Sequence, residues 1–365
     1  MPELEHREMK TLWGLCVMAG LAVAAGAETA EFVIANGNDD AFTELVGNTD
    51  DITGTSIQLG SITTSDRATA GFRFITSGIG RGQVIQSATL RLYVESQGSG
   101  SGTAYYLHAD TTPDSPSFES PNPSPGDRGD SSKTTANQYR YEWGTGIRDV
   151  SFSTAVVQEV INEATWDEGD PLTLLAIGAP STTQWYSIAT AYEGNPANAA
   201  KLILTFDPDQ FQVPAGALGA FPLGDSGAVI NFTDAPDTPG TITVQRIDSW
   251  PGGTFDGASA LSHDSTAIFP DTVSHDAYWV ITVTGLSGYV YSVIIDTTDI
   301  DGIDDADKLV IVKRDNSGDD WTPLNTTRSG SLLTAAGLTS FSEFSVGSEY
   351  ASNTLPVELD LFGVE

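Results

Sequence analysis

Val84-Ile85-Gln86-Ser87-Ala88-Thr89-Leu90-Arg91-Leu92-Tyr93-Val94 alternates in character with a period of two. Val84, Ala88, Leu90, Leu92 and Val94 fall on one face, and Ser87, Thr89, Arg91 and Glu95 on the other. This is the pattern of an antiparallel strand buried on one side only, since a helix would space its apolar residues three and four apart. Shorter runs of the same kind recur at residues 71–75, 172–177 and 201–206, then at 241–247, 278–284, 290–296, 308–314 and 341–346. Residues 172–177 are apolar on both faces and are expected at the centre of a sheet. Glycine, proline, serine and aspartate cluster between the runs, and many short strands joined by such turns predict an all-β chain.

A chain of 365 residues is long enough for two cores, so the expected architecture is two tandem β-sandwich domains, jelly-roll or Ig-like. The divisions read from the sequence are a leader over 1–27, a first sandwich over 28–207, a linker over 208–222 punctuated by Pro214 and glycines, and a second sandwich over 223–365. One short helix is expected in the first sandwich, between Ser153 and Trp166. There Val156, Val157, Val160, Ile161 and Ala164 recur at helical spacing, with Gln158, Glu159, Asn162 and Glu163 opposite. Residues 110–137 are rich in Pro, Ser, Asp and Gly without periodic apolar positions, and read as a long, mobile surface loop. Asp315-Asn316-Ser317-Gly318 reads as a hairpin turn leading to a strand near Trp321.

Leu12 to Gly26 form an apolar run too short to span a bilayer, followed by the small-x-small pattern Ala25-Gly26-Ala27. This is the form of a cleaved export signal, with Met9-Lys10-Thr11 as a basic start. The single cysteine, Cys16, lies inside it, so the exported chain is expected to have neither disulfides nor thiol chemistry. An extracellular or cell-surface location and no membrane span follow as expectations.

Asp and Glu number 49 against 16 Lys and Arg, for a formal charge of -33. Nucleic acid is not expected as a partner, because phosphate binding needs a basic footprint. The acids are spread along the chain rather than gathered in a tail, which reads as a halophilic surface, hydrated and soluble where salt screens self-repulsion.

The second half resembles the region before the C-terminal sorting domain of cargo of the type IX secretion system. The residues that carry the likeness are Val229-Ile230-Asn231-Phe232, Gly240-Thr241-Ile242-Thr243-Val244, Tyr278-Trp279, Lys313-Arg314-Asp315-Asn316, Phe341-Ser342-Glu343-Phe344 and Leu355-Pro356-Val357-Glu358-Leu359. The first half resembles β-sandwich modules of secreted multidomain bacterial proteins, some of them carbohydrate-binding modules, through residues 85–92, Gln158-Glu159-Val160, residues 166–169 and Ala199-Ala200-Lys201-Leu202. The first likeness implies delivery to the cell surface and the second implies sugar binding, an analogy of fold alone.

Tyr139, Tyr141 and Trp143 alternate along one strand face, with Gln138, Arg140 and Glu142 opposite. Exposed, their flat rings would stack on sugars; buried, they would be sandwich core. Trp185-Tyr186 and Tyr105-Tyr106 present the same choice. Asp299, Asp301, Asp304, Asp305 and Asp307 around Gly302 fit either a structural Ca²⁺ loop or a solvated acidic loop, with Lys308 where an EF-hand would place its closing Glu. Asp39, Asp40, Asp50 and Asp51 form a second such cluster. No cofactor is required by any of these.

Catalysis is not expected. Gly224-Asp225-Ser226-Gly227 has the form of a serine-protease nucleophile motif but reads as a turn, and Ser262-His263-Asp264 and Ser274-His275-Asp276 place adjacent residues on opposite faces of a strand. Arg128-Gly129-Asp130 matches an integrin-binding tripeptide and reads as a chance match. The expected function is that of a secreted, non-catalytic surface or matrix protein that binds glycan or adheres. Its partner would be a polysaccharide or a cell-surface protein. The alternatives are a structural spacer or assembly subunit with protein partners, and a glycoside-active enzyme fragment.

Overall fold

The structure is a computed structural model that describes residues 26–47, 49–61, 63, 66–98, 102–142, 144–180, 185–353 and 355. The expected leader before Gly26, the run Pro356-Val357-Glu358-Leu359 and Trp143 lie outside the described residues.

The chain is all-β, as its turn-punctuated alternation predicts. The first half contains β1 (Glu28–Val33), β2 (Asp40–Glu44), β3 (Thr49–Asp51), β4 (Ser56–Ser61), β5 (Arg67–Ile75), β6 (Gln83–Gln97), β7 (Thr103–Ala109), β8 (Gln138–Glu142), β9 (Gly146–Phe152), β10 (Pro171–Gly178), β11 (Trp185–Thr190) and β12 (Lys201–Val213). Antiparallel pairing orders one sheet as β3-β2-β5-β10-β7-β8. β10 is central, as its two apolar faces require. The facing sheet is built on β6, with β9 along one side and β12 and then β11 along the other. β1 flanks β12, and β4 flanks β11. Leu90, Leu92, Phe72, Phe74, Leu174 and Leu202 meet in the core between the sheets.

β6 departs from strict alternation near its start. Its pairing with β12 slips between Ser87, opposite Thr205, and Ile85, opposite Phe206. That β-bulge turns Ile85 inward and leaves Val84 half-buried, which strict alternation could not anticipate.

The helix around Val156 spans Ala155–Ile161 and buries Val156, Val157, Val160 and Ile161. Ala164 lies beyond it and is exposed. Gln158, placed by spacing on the polar side, is buried: its Oε1 accepts from Ile85 N at 3.0 Å and its Nε2 donates to Gln83 O at 3.0 Å. The amide satisfies backbone groups of β6 near its bulge.

This is the second helix of the first half, where the sequence predicted one. The earlier, α1 (Pro125–Ser131), forms inside the stretch expected to be a loop, and the Ala155–Ile161 helix is accordingly α2. Ser124 caps α1 in a reciprocal capping box with Asp127, and Pro125 pre-sets the first turn. Arg128, on α1, is 2% exposed. Its guanidinium donates to Ser115 Oγ at 2.6 Å, Pro116 O at 2.7 Å, Ser117 O at 3.1 Å and Pro123 O at 3.1 Å, pairs with Asp110 and stacks over the Phe118 ring. An integrin-type tripeptide needs this arginine in solvent, and here it is the pin of a folded segment.

The second half contains β13 (Gly219–Pro222), β14 (Ala228–Asp234), β15 (Gly240–Ile247), β16 (Ala260–Leu261), β17 (Ala267–Ile268), β18 (Thr272–Val273), β19 (Tyr278–Thr284), β20 (Val290–Asp296), β21 (Val310–Arg314), β22 (Thr322–Leu324), β23 (Thr326–Ser329), β24 (Leu332–Leu338) and β25 (Glu343–Ser348). One sheet runs β15-β19-β25-β21-β22, the other β13-β14-β20-β24-β23. Ile242, Trp279 and Phe344 face Phe221, Ile230 and Val293 in a core of their own. β21 and β22 form the hairpin expected at residues 315–318, with Gly318 at φ 95°.

The stretch 208–222, expected as a linker, is strand at both ends. β12 continues through Pro208 to Val213 and pairs first with β6 and then with β15. Proline is accommodated because the pairing with β6 is interrupted between Asp207 and Phe211. Asp207 holds that irregularity, accepting from Asp209 N and Gln210 Nε2. Arg81 adds a second tie, donating through Nη1 to Leu218 O and Ala220 O and stacking over Phe221.

Candidate functional site: an exposed aromatic face

Tyr139 and Tyr141 point outward from β8, 46% and 41% exposed. Of the two environments open to them, the structure selects solvent. Residues i and i+2 of a strand share a face about 7 Å apart, and each ring meets a partner from another strand. Tyr139 lies directly opposite Tyr106 of β7, with ring centroids 5.3 Å apart and planes at 59°. Tyr141 meets Trp185, the first residue of β11, at 5.5 Å and 71°. The neighbour of Tyr106, Tyr105, points the other way into the core, and burial pushes its phenol far above the ordinary range.

Local packing sets these rings. A Cβ built at Gly102 would lie 2.7 Å from Tyr141 Cζ, so the glycine leaves room for that ring. Thr69, Ile177, Tyr106 and Tyr139 form one cross-strand row over β5, β10, β7 and β8. Gly129 of α1 sits over Thr69 and Ile177, with its Cβ position 3.3 Å from Thr69 Cγ2 and 3.4 Å from Ile177 Cδ1. The helix therefore stands beside the rings on the same outer face. Arg67 and Trp185 are both cross-strand partners of Ser61, and Arg67 Nη1 lies 3.5 Å from Gly178 O. An arginine donor is thereby placed at the Trp185 end.

Tyr186 does not join the row; its ring packs against Gly98. Trp143 follows Tyr141 at the same alternation but lies outside the described residues.

The acidic clusters are divided among separate tasks. Asp301 N donates to Asp276 Oδ2, and Asn353 Oδ1 accepts from both Asp304 N and Asp305 N. Asp305 Oδ1 accepts from Asp307 N, and Asp307 pairs with Arg328 at 2.6 Å. Among the described residues, no hydrogen bond or ion pair joins the Asp299 side chain to this arrangement. Asp39 pairs with Arg73 at 2.7 Å, and Asp50 accepts from Thr43 Oγ1 at 2.6 Å. Asp40 is 2% exposed and accepts from Tyr192 N; burial first, then the nearby Asp39 and Glu193, push it up to about 7. Among the described residues, no group of three or more His, Cys, Asp or Glu side chains is placed to hold a metal ion.

The triad-like motifs are likewise taken up locally. Ser226 sits in a short 3₁₀ turn, its Oγ accepting from Ala228 N and its carbonyl from Trp279 Nε1. Ser262 Oγ donates to Asp264, while His263 Nδ1 accepts from Arg328 N and His275 stacks on Trp250 at 4.8 Å. His108 is buried, with Nδ1 2.9 Å from Thr134 O.

No protein-family model matches the chain, and a search of curated proteins returns no match. Fold and surface together define an all-β sandwich protein with an exposed aromatic face.

Proposed function

We propose that the chain is an exported, non-catalytic protein of the cell surface or matrix that binds glycan through Tyr106, Tyr139, Tyr141 and Trp185. The observation that carries this reading is the exposure of Tyr139 and Tyr141 on one sheet face, each backed by a second ring. Tyrosine and tryptophan offer broad apolar area that loses little entropy on binding, and the C–H face of a pyranose ring is its natural complement. A clustered aromatic surface marks an interaction site more often than scattered apolar residues do. The leader pattern and the acidic, salt-tolerant composition support work outside the cell.

Affinity electrophoresis through gels containing different polysaccharides tests the reading. Retardation by at least one polymer is expected, and the double variant Tyr139→Ala/Tyr141→Ala is expected to abolish it while the protein stays folded, as circular dichroism at the assay temperature checks. Free migration through every polymer would overturn the proposal. A second reading, a spacer with protein partners, is favoured by the continuity of β12 through the sheets of both halves; it is tested by light scattering for self-assembly.

A further inference from the structure

Building on the glycan-binding reading, we infer that the aromatic face takes single, soluble polysaccharide chains lying along β8, across consecutive sugars, rather than the flat faces of crystalline polymers. The inference rests on ring geometry. A crystalline surface presents a plane and calls for coplanar rings. Here Tyr139 and Tyr106 are inclined at 59°, and Tyr141 and Trp185 at 71°, so no flat surface lies face to face with both members of either pair. Each inclined pair encloses an angle, a notch for a single sugar.

The two notches follow the direction of β8, about 7 Å apart by the rise of a strand. That is more than one pyranose ring covers, so one sugar fills one notch and its neighbour in the chain approaches the other. α1 stands along the same face over Thr69 and Ile177, which closes the approach to an extended flat surface from that side and leaves a path parallel to the strand. The sugars that fit are pyranoses with mostly equatorial substituents, because these present an apolar face to an aromatic ring.

The test uses the whole exported chain in two arms. In the first, the protein is run through gels of barley mixed-linkage β-glucan, xylan and glucomannan, and sedimented with microcrystalline cellulose and crystalline chitin. In the second, mono- to hexasaccharides of the retarding polymer compete for binding. Retardation by a soluble polymer, no loss to the crystalline pellets and competition by the tetrasaccharide at least about tenfold better than by the monosaccharide are expected, since only the longer chain reaches both ring pairs. Tyr141→Ala is expected to remove that gain with length. Sedimentation with the crystals as strong as binding to the soluble chains, or equal competition by monosaccharide and tetrasaccharide, would overturn the inference and leave glycan binding standing. No binding to any soluble or crystalline polymer would remove both.

Discussion

The rings of Tyr106 and Tyr139 meet across two antiparallel strands, centroids 5.3 Å apart, with both side chains exposed. A cross-strand aromatic pair is worth roughly 0.5–1 kcal/mol, so here it does little for the fold. It holds two apolar surfaces still in water, which lowers the ordering cost of a ligand that stacks on them.

Tyr139→Ala is therefore expected to reduce stability by about 1–2 kcal/mol, below the roughly 3–5 kcal/mol of a core aromatic, because 46% of the residue stays in water. A double-mutant cycle with Tyr106→Ala, followed by urea denaturation, should return a coupling of about 0.5–1 kcal/mol. Losses of several kcal/mol would mean that the rings belong to the core.

Asp40 makes stability fall as pH rises. Below the ordinary aspartate range both states hold the proton. Between about pH 4 and its folded value of about 7, the unfolded chain ionises while the folded one stays protonated, so folding loses free energy with each pH unit. Across that interval the loss is on the order of a few kcal/mol. Burial is the main cause of the raised value, Asp39 and Glu193 add to it, and the Tyr192 amide opposes it. Asp40→Asn should flatten this part of the profile relative to the parent protein. Parallel stability curves for the two proteins from pH 4 to 8 would refute the assignment.

Arg128→Ala is expected to cost about 3–5 kcal/mol, the range for breaking a buried pair and leaving Asp110 without its partner. It should also free residues 110–137 to proteolysis. Asp130→Ala, at an exposed position three residues beyond Asp127, should leave stability within about 0.5 kcal/mol. Equal effects of the two substitutions on melting and proteolysis would contradict the structural role of the arginine.

The sequence disclosed strands wherever alternation was strong, and β6, β10 and the β21–β22 hairpin follow from it directly. It concealed α1, because periodicity looks for apolar residues and this helix is held by an arginine. The available signal was Ser124-Pro125-Gly126-Asp127, a capping box with proline in the first turn. Val84 was misplaced since a bulge shifts the face without changing composition. The spacing of Tyr139 and Tyr141 was plain, but alternation says which residues share a face and not which face meets water. β8 pairs with β7 at the end of its sheet, and its outward rings stand beyond α1; only the packed molecule shows that. Tyr186 illustrates the limit from the other side, since adjacency to Trp185 guaranteed opposite directions.

The Arg81 guanidinium joins groups from the two halves. It is 5% exposed, stacks 4.1 Å from the Phe221 centroid and donates to Leu218 O and Ala220 O. Its Nε is buried with no hydrogen-bond partner among the described residues, and burial lowers its pKa. Part of what the two hydrogen bonds contribute is therefore offset by desolvation. Arg81→Met keeps a long stem against Phe221 and removes the buried charge, so it should cost less than Arg81→Ala, which loses both packing and donors, about 1.5–3 kcal/mol by the worth of charge-assisted bonds. Because β12 still connects the halves, the alanine variant should broaden or split the calorimetric transition without unfolding either core at room temperature. A single transition as sharp as the parent's, with unchanged midpoint, would show that β12 alone couples them.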